Sequence, residues 1–260
     1  MSNEIWAAAK TVRVTAVYAV ALVAVSATLT VLGPHTRDVV VRDMSTNLHN
    51  LSHGRVFTLI GSAFVEAGDG VYASLPGLVC LLALGELICR GSGLIIAFLA
   101  GHVGATVLVA AWLVAAVQAG WVPIAVTQAT DVGVSYGVMG VLGALTASIP
   151  SRWRPTWIGW WLGTAVLVAI WADFEFTGIG HVLALLLGMG LSFRLRTLAR
   201  WTPLHLGLLA VGASYGYFSM CGPSPLAAIG GLGGALIAQL VNRVLAMSRT
   251  RNQPCVTAMP

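Results

Sequence analysis

Long apolar runs recur eight times along the chain, at about 12–32, 71–89, 93–118, 133–149, 156–173, 178–195, 203–220 and 225–247. A bilayer-spanning helix needs roughly 20 predominantly apolar residues, so each run predicts one span. The polar breaks fit turns: Gly33-Pro34, Arg90-Gly91-Ser92-Gly93, Pro150 to Pro155, and Gly222-Pro223-Ser224-Pro225. Val25-Ser26-Ala27 is a passable cleavage site, but the first run continues to Leu32, which favours an anchor over a signal peptide. Val56 to Val65 is too short to span and too apolar for a solvated loop. It is expected to lie in the outer leaflet against the bundle.

Composition agrees with this pattern. Of 260 residues, 57% are apolar and 9% charged, against about 25% charged in soluble domains. The bilayer is therefore the expected solvent, and a nucleic-acid partner is not, because no basic patch is interleaved with aromatics. Charge placement predicts topology. With the N-terminus inside, Lys10, Arg13, Arg90, Arg152, Arg154, Arg194, Arg196, Arg200, Arg243, Arg249 and Arg251 all fall inside, whereas Arg37, Arg42 and Arg55 fall in the long first loop. Both termini are thus expected to be cytoplasmic, with Cys221 outside and Cys255 inside. The organisation predicted is a short cytoplasmic start (1–11), a six-helix core (12–198) with a membrane-associated first loop (33–70), two further spans (199–248) and a cytoplasmic tail (249–260). Cys80, Cys89, Cys221 and Cys255 have neither metal nor redox spacing, and no metal, cofactor or disulfide is expected.

The candidate chemistry lies in two spans that start on the same side. Gly133-Val134-Ser135-Tyr136-Gly137 opens the fourth, and Gly178-Ile179-Gly180-His181 opens the sixth. A hydroxyl and an imidazole at matching depth form a candidate nucleophile and base, expected within hydrogen-bond distance or brought there by a rotamer change. Gly137, Gly140, Gly143 and Ala144 on the fourth span, and Gly180, Ala184 and Gly188 on the sixth, would let the two backbones approach closely. Gly137 and Gly188 are expected at that contact. A structural Ser–His hydrogen bond would leave the same trace in the sequence. His102, within the third span, is a further candidate functional residue. Asp131, Asp173 and Glu175 are read as carboxylates interacting with helix N-termini. Trp121, Trp153, Trp157, Trp160 and Trp161 read as an interfacial belt.

These motifs resemble those of the rhomboid family, and in particular the divergent rhomboid-like proteins of actinobacteria. The Gly133-x-Ser135-Tyr136 motif resembles the family's serine motif, and His181 with Ala184 and Gly188 its histidine motif. Arg55-x-x-Thr58, Gly85, Gly91 and the Gly101-His102 pair add to the likeness, which covers about 12–198. The resemblance implies an all-α membrane protein: a rhomboid-like six-helix intramembrane serine protease fold, here with two extra C-terminal transmembrane helices. It implies a multi-pass protein of the bacterial plasma membrane with Ser135 as nucleophile and His181 as base, in a neighbourhood that includes Gly133 and Tyr136. One departure bears on activity. The family's second-helix His-x-x-x-Asn pair, which helps stabilise the oxyanion, has no counterpart, because no His or Asn occurs between Gly54 and Gly101. Its positions fall near Ala73 and Gly77. His49, Asn50 and His53 of the first loop are possible substitutes. Losing one oxyanion donor costs roughly 10²–10³ in rate. Two functions follow: a protein that binds transmembrane segments of clients with proteolysis impaired, or an active intramembrane serine protease that cuts membrane-anchored substrates near the outer face. A transporter would need charges inside the spans, where Glu86 is the main one.

Overall fold

The computed structural model describes residues 11–68, 70–172, 175–195 and 201–251, and among them the chain is helical with no strand. In order, the helices are α1 (Arg13–Leu32), α2 (Pro34–Met44), α3 (Leu48–Ser52), α4 (Thr58–Gly61), α5 (Val71–Leu99), α6 (Ala105–Gln118), α7 (Ser135–Ala144), α8 (Arg154–Trp171), α9 (Phe176–Ser192), α10 (Pro203–Cys221) and α11 (Ala227–Arg251). Four described stretches are long and apolar enough to cross a membrane: Arg13–Leu32, Val71–Gln118, Pro203–Cys221 and Ala227–Ser248. The molecule is an all-α, multi-pass membrane protein.

α5 reverses at the polar break Arg90-Gly91-Ser92-Gly93, and the backbone shows how. Arg90 adopts φ 64°, a left-handed conformation rare outside glycine. Leu94 then returns to 3.1 Å from where a Gly85 side chain would stand. Nine residues of straight helix would separate the two by about 13 Å. The first half of α5 is thus one element, and its second half runs through a π-turn (Ala100–Gly104) into α6 as the next.

α7 is the buried centre. Its ten residues from Ser135 to Ala144 carry four glycines or alanines, and every one after Ser135 is buried. Glycine is needed because neighbouring backbones come that close. A side chain on Gly143 would meet the Leu185 carbonyl of α9, and one on Gly188 would meet the Gly140 carbonyl of α7. Gly140 itself faces Ala97 and Gly101. Gly137 differs from the sequence expectation: it faces Phe98 of α5, not the sixth span. The 3₁₀ turn after α7 (Leu145–Ser148) is held by Arg154, which donates to the carbonyls of Thr146, Ala147 and Ile149, and by Trp201, whose Nε1 donates to Ser148. Cations at a helix C-terminus satisfy its free carbonyls.

α10 packs along α5, where Gly212 meets the Leu81 backbone, and α11 packs along α8, where Gly230 and Gly234 face Gly163 and Gly159. Trp161 belongs to this core and not to an interfacial belt. It is 1% exposed, edge-on to Trp157, and close to Gly216.

The first loop is fastened into the bundle. Val56, Phe57 and Ile60 are exposed while Thr58, Ser62, Ala63 and Val65 are buried, so one side packs and the other is free to meet lipid. Tyr18 of α1 donates its hydroxyl to the Ala63 carbonyl at 2.6 Å.

Candidate functional site

Ser135 is the first residue of α7, and its placement begins with Gly133. That glycine sits at φ 115°, a region that favours glycine, and its N–H donates to the Ser62 carbonyl at 2.9 Å. Two residues earlier Asp131 is clamped by the first loop. Thr46 donates to it from N–H (2.9 Å, to the carbonyl) and from its hydroxyl (2.9 Å, to the carboxylate), while the Asp131 N–H donates to Ser45 Oγ at 2.8 Å. Asp131 is therefore a tie to the loop and not the cap of α7. Val134 occupies the N-cap position without a side-chain bond, and the carboxylate that accepts its N–H is Glu66. Glu175 likewise stands at the N-cap of α9 without a side-chain cap bond, and Asp173 lies outside the described residues.

Ser135 is half-buried and opens into a cavity of about 630 Å³. Glu66, Ser74, Tyr215 and Ser219 give this cavity its polar groups. Ala73 and Gly77, the positions left without His and Asn, line the same cavity and offer no side-chain donor. Two of the first-loop substitutes are engaged elsewhere. Asn50 gives its amide to the carbonyls of Arg42 and Ser45, and His53 bonds the His49 carbonyl.

His181 is buried on α9, with Ala184 fully buried one turn on. Among the described residues neither of its ring nitrogens has a hydrogen-bond partner, so Ser135 and His181 are not hydrogen-bonded in this arrangement of side chains. The ring against His181 is Tyr136, edge-on at 5.5 Å between centroids and 84° between planes. Ser135 and Tyr136 are about 100° apart around the helix. With Tyr136 turned to α9, Ser135 is turned toward Glu66 and α10. A buried Ser–His hydrogen bond does form elsewhere: it joins Ser62 Oγ and His102 Nε2 at 3.0 Å, fully inside the protein. It links the first loop to the π-turn; π-turns recur at functional sites. Sequence reasoning missed Ser62, Glu66 and Tyr215. The one available signal was a carboxylate and hydroxyls beside the too-apolar Val56–Val65 stretch.

Burial raises the Glu66 carboxyl above its ordinary 4.5, and the Val134 N–H offsets part of that shift. The folded protein therefore holds this proton more tightly than the unfolded chain. Its contribution to stability is complete below about pH 4.5 and is lost as pH rises through the folded value. Glu66→Gln keeps an acceptor for Val134 without the charge. Thermal unfolding in detergent from pH 4 to 8 should show the variant gaining on the wild type as pH rises. Parallel curves across that range would refute the assignment.

No curated protein and no solved structure matches the chain. The family model described as "Rhomboid-like protein" matches residues 7–200, a stretch that includes α1 to α9 with Ser135 and His181, and the chain belongs to that family.

Proposed function

We propose that this rhomboid-like protein binds transmembrane segments of client proteins without cutting them. The observation that carries the reading is that no hydrogen bond joins the serine to its base. His181 stands against Tyr136 with both nitrogens unbonded among the described residues, while Ser135 faces a different cavity. Nucleophilic catalysis needs hydroxyl and base within about 2.6–3.2 Å, oriented by a third group. The bare Ala73 and Gly77 wall supports the same reading, since an oxyanion would find little beyond backbone N–H there. The placement of basic residues supports a plasma-membrane protein with both termini cytoplasmic.

The second reading, an intramembrane serine protease, is favoured by one feature: Ser135 is half-buried beside a roomy polar cavity that would admit water. A serine-directed fluorophosphonate separates the two. Wild type and Ser135→Ala should label equally weakly, while a photo-crosslinkable transmembrane peptide is captured by both. Labelling of the wild type that disappears in Ser135→Ala would establish the protease instead.

A further inference from the structure

We propose that the Ser135 cavity binds a cation rich in N–H donors, and that this cation is a lysine or arginine side chain at the outer end of a client's transmembrane segment. Glu66 supplies the charge. It is half-buried in the cavity wall, and its Oε1 lies 3.9 Å from where a side chain on Gly133 would stand, directly beside the approach to α7. The Val134 N–H occupies part of the carboxylate. A carboxylate offers about four acceptor positions, so one amide leaves most of them open to the cavity. Burial raises this carboxyl above its ordinary value, and no neighbouring cation offsets the shift. None of the described residues lining the cavity is Lys, Arg or His.

The hydroxyls around Glu66 extend the acceptor set. Ser74 gives its proton to the Val71 carbonyl at 3.0 Å, which leaves its oxygen to accept. Ser135 adds a hydroxyl from α7, and Tyr215 and Ser219 add theirs from α10. An ammonium or a guanidinium brings donors and no acceptor, which matches a carboxylate among hydroxyl oxygens. An anion would meet Glu66 with nothing basic to hold it. The same deficit decides between two sources of an amine. Phosphatidylethanolamine carries a phosphate close to its ammonium, and that phosphate would enter without a basic group to receive it. A lysine or arginine side chain carries only an alkyl stem behind its charge. Ala73, Val211 and Phe218 line the cavity as an apolar wall for that stem, and a volume of about 630 Å³ admits either head. The cationic site rests on the cavity alone. Its occupant rests on the client-binding reading, and the two are tested apart.

The site is tested with butylguanidinium and its neutral counterpart butylurea, their binding to the full chain in dodecylmaltoside read by saturation-transfer NMR. Wild type should bind butylguanidinium about tenfold or more tightly than butylurea, and Glu66→Gln should remove the difference. Ala73→Lys leaves Glu66 in place and carries its own ammonium into the cavity. It should remove the difference too, so the test holds even where Glu66→Gln misfolds. Equal affinities for the two probes in wild type overturn the site. The occupant is tested in phosphatidylcholine vesicles with photo-crosslinkable transmembrane peptides that differ only in one outer-end residue, lysine or norleucine. Wild type should capture the lysine peptide about tenfold better, and Glu66→Gln should capture the two alike. Guanidinium binding through Glu66 without capture of either peptide leaves the site standing and removes the client-binding reading. Equal capture of both peptides by wild type overturns the basic side chain as occupant, and so does loss of the lysine preference when phosphatidylethanolamine is added to the vesicles.

Discussion

Gly188→Leu is expected to cost the fold at least about 3 kcal/mol, the upper end of what overpacking a core usually costs. The reason is what a side chain there would strike. Its first atom would meet the Gly140 carbonyl and then the Ala144 nitrogen at 3.0 Å. Both belong to helix backbone, which cannot rotate aside as a side-chain tip can, so α9 would have to leave α7. Gly190 supplies the control. It lies two residues on, in the same helix, and nothing stands within 4 Å of where its side chain would point. Leucine at 190 should be nearly silent. Thermal unfolding in detergent distinguishes them, and equal melting of the two variants would remove the α7–α9 contact from the account. Gly137→Leu should fall between the two, because its obstacle is the Phe98 ring.

Glu86→Leu should be nearly as damaging. This carboxylate, buried in α5, accepts the N–H groups of Val14 (3.0 Å) and Thr15 (2.8 Å) and the Thr15 hydroxyl (2.8 Å). Those N–H groups belong to the first turn of α1, which lacks a side-chain cap of its own. Glu86 is that cap, supplied from 71 residues away. An unsatisfied buried donor costs about 1–3 kcal/mol, so two cost roughly 2–6 kcal/mol, and a lost charge–dipole attraction adds to it. Glu86→Gln keeps one oxygen and should lose about half as much. If Glu86→Leu unfolds at the wild-type temperature, α1 must hold its N-terminus by other means.

What the sequence revealed and what it concealed have separate physical causes. The helices follow the apolar runs because the solvent, and not a particular partner, selects them. The reversal at Arg90 was visible in Arg90-Gly91-Ser92-Gly93 as a break, and so was the close approach of Gly188 to α7. Rotation about a short helix was not. Glycines at 133, 137, 140 and 143 stand at spacings of four, three and three, which covers more than one side of α7. That pattern announces crowding without saying which neighbour crowds which residue. Gly137 therefore met Phe98, and Tyr136 took the place beside His181 that Ser135 was expected to hold. The polar loop residues were harder still. Nothing in the sequence assigns partners to Ser45, Thr46, Ser62 and Glu66, yet each is bonded to the approach to α7 or to His102.

Those bonds set an order of events during synthesis. Thr46 waits for a partner 85 residues downstream. At about 5–20 residues per second, the ribosome supplies it roughly 4–17 s later. Through that interval the hydroxyls of Ser45 and Thr46 need water, since neither can go unsatisfied in hydrocarbon. The loop must therefore wait at the membrane surface. The arrival of α7 is what draws it in, so the segment bearing Ser135 is also the one that completes the outer half of the bundle.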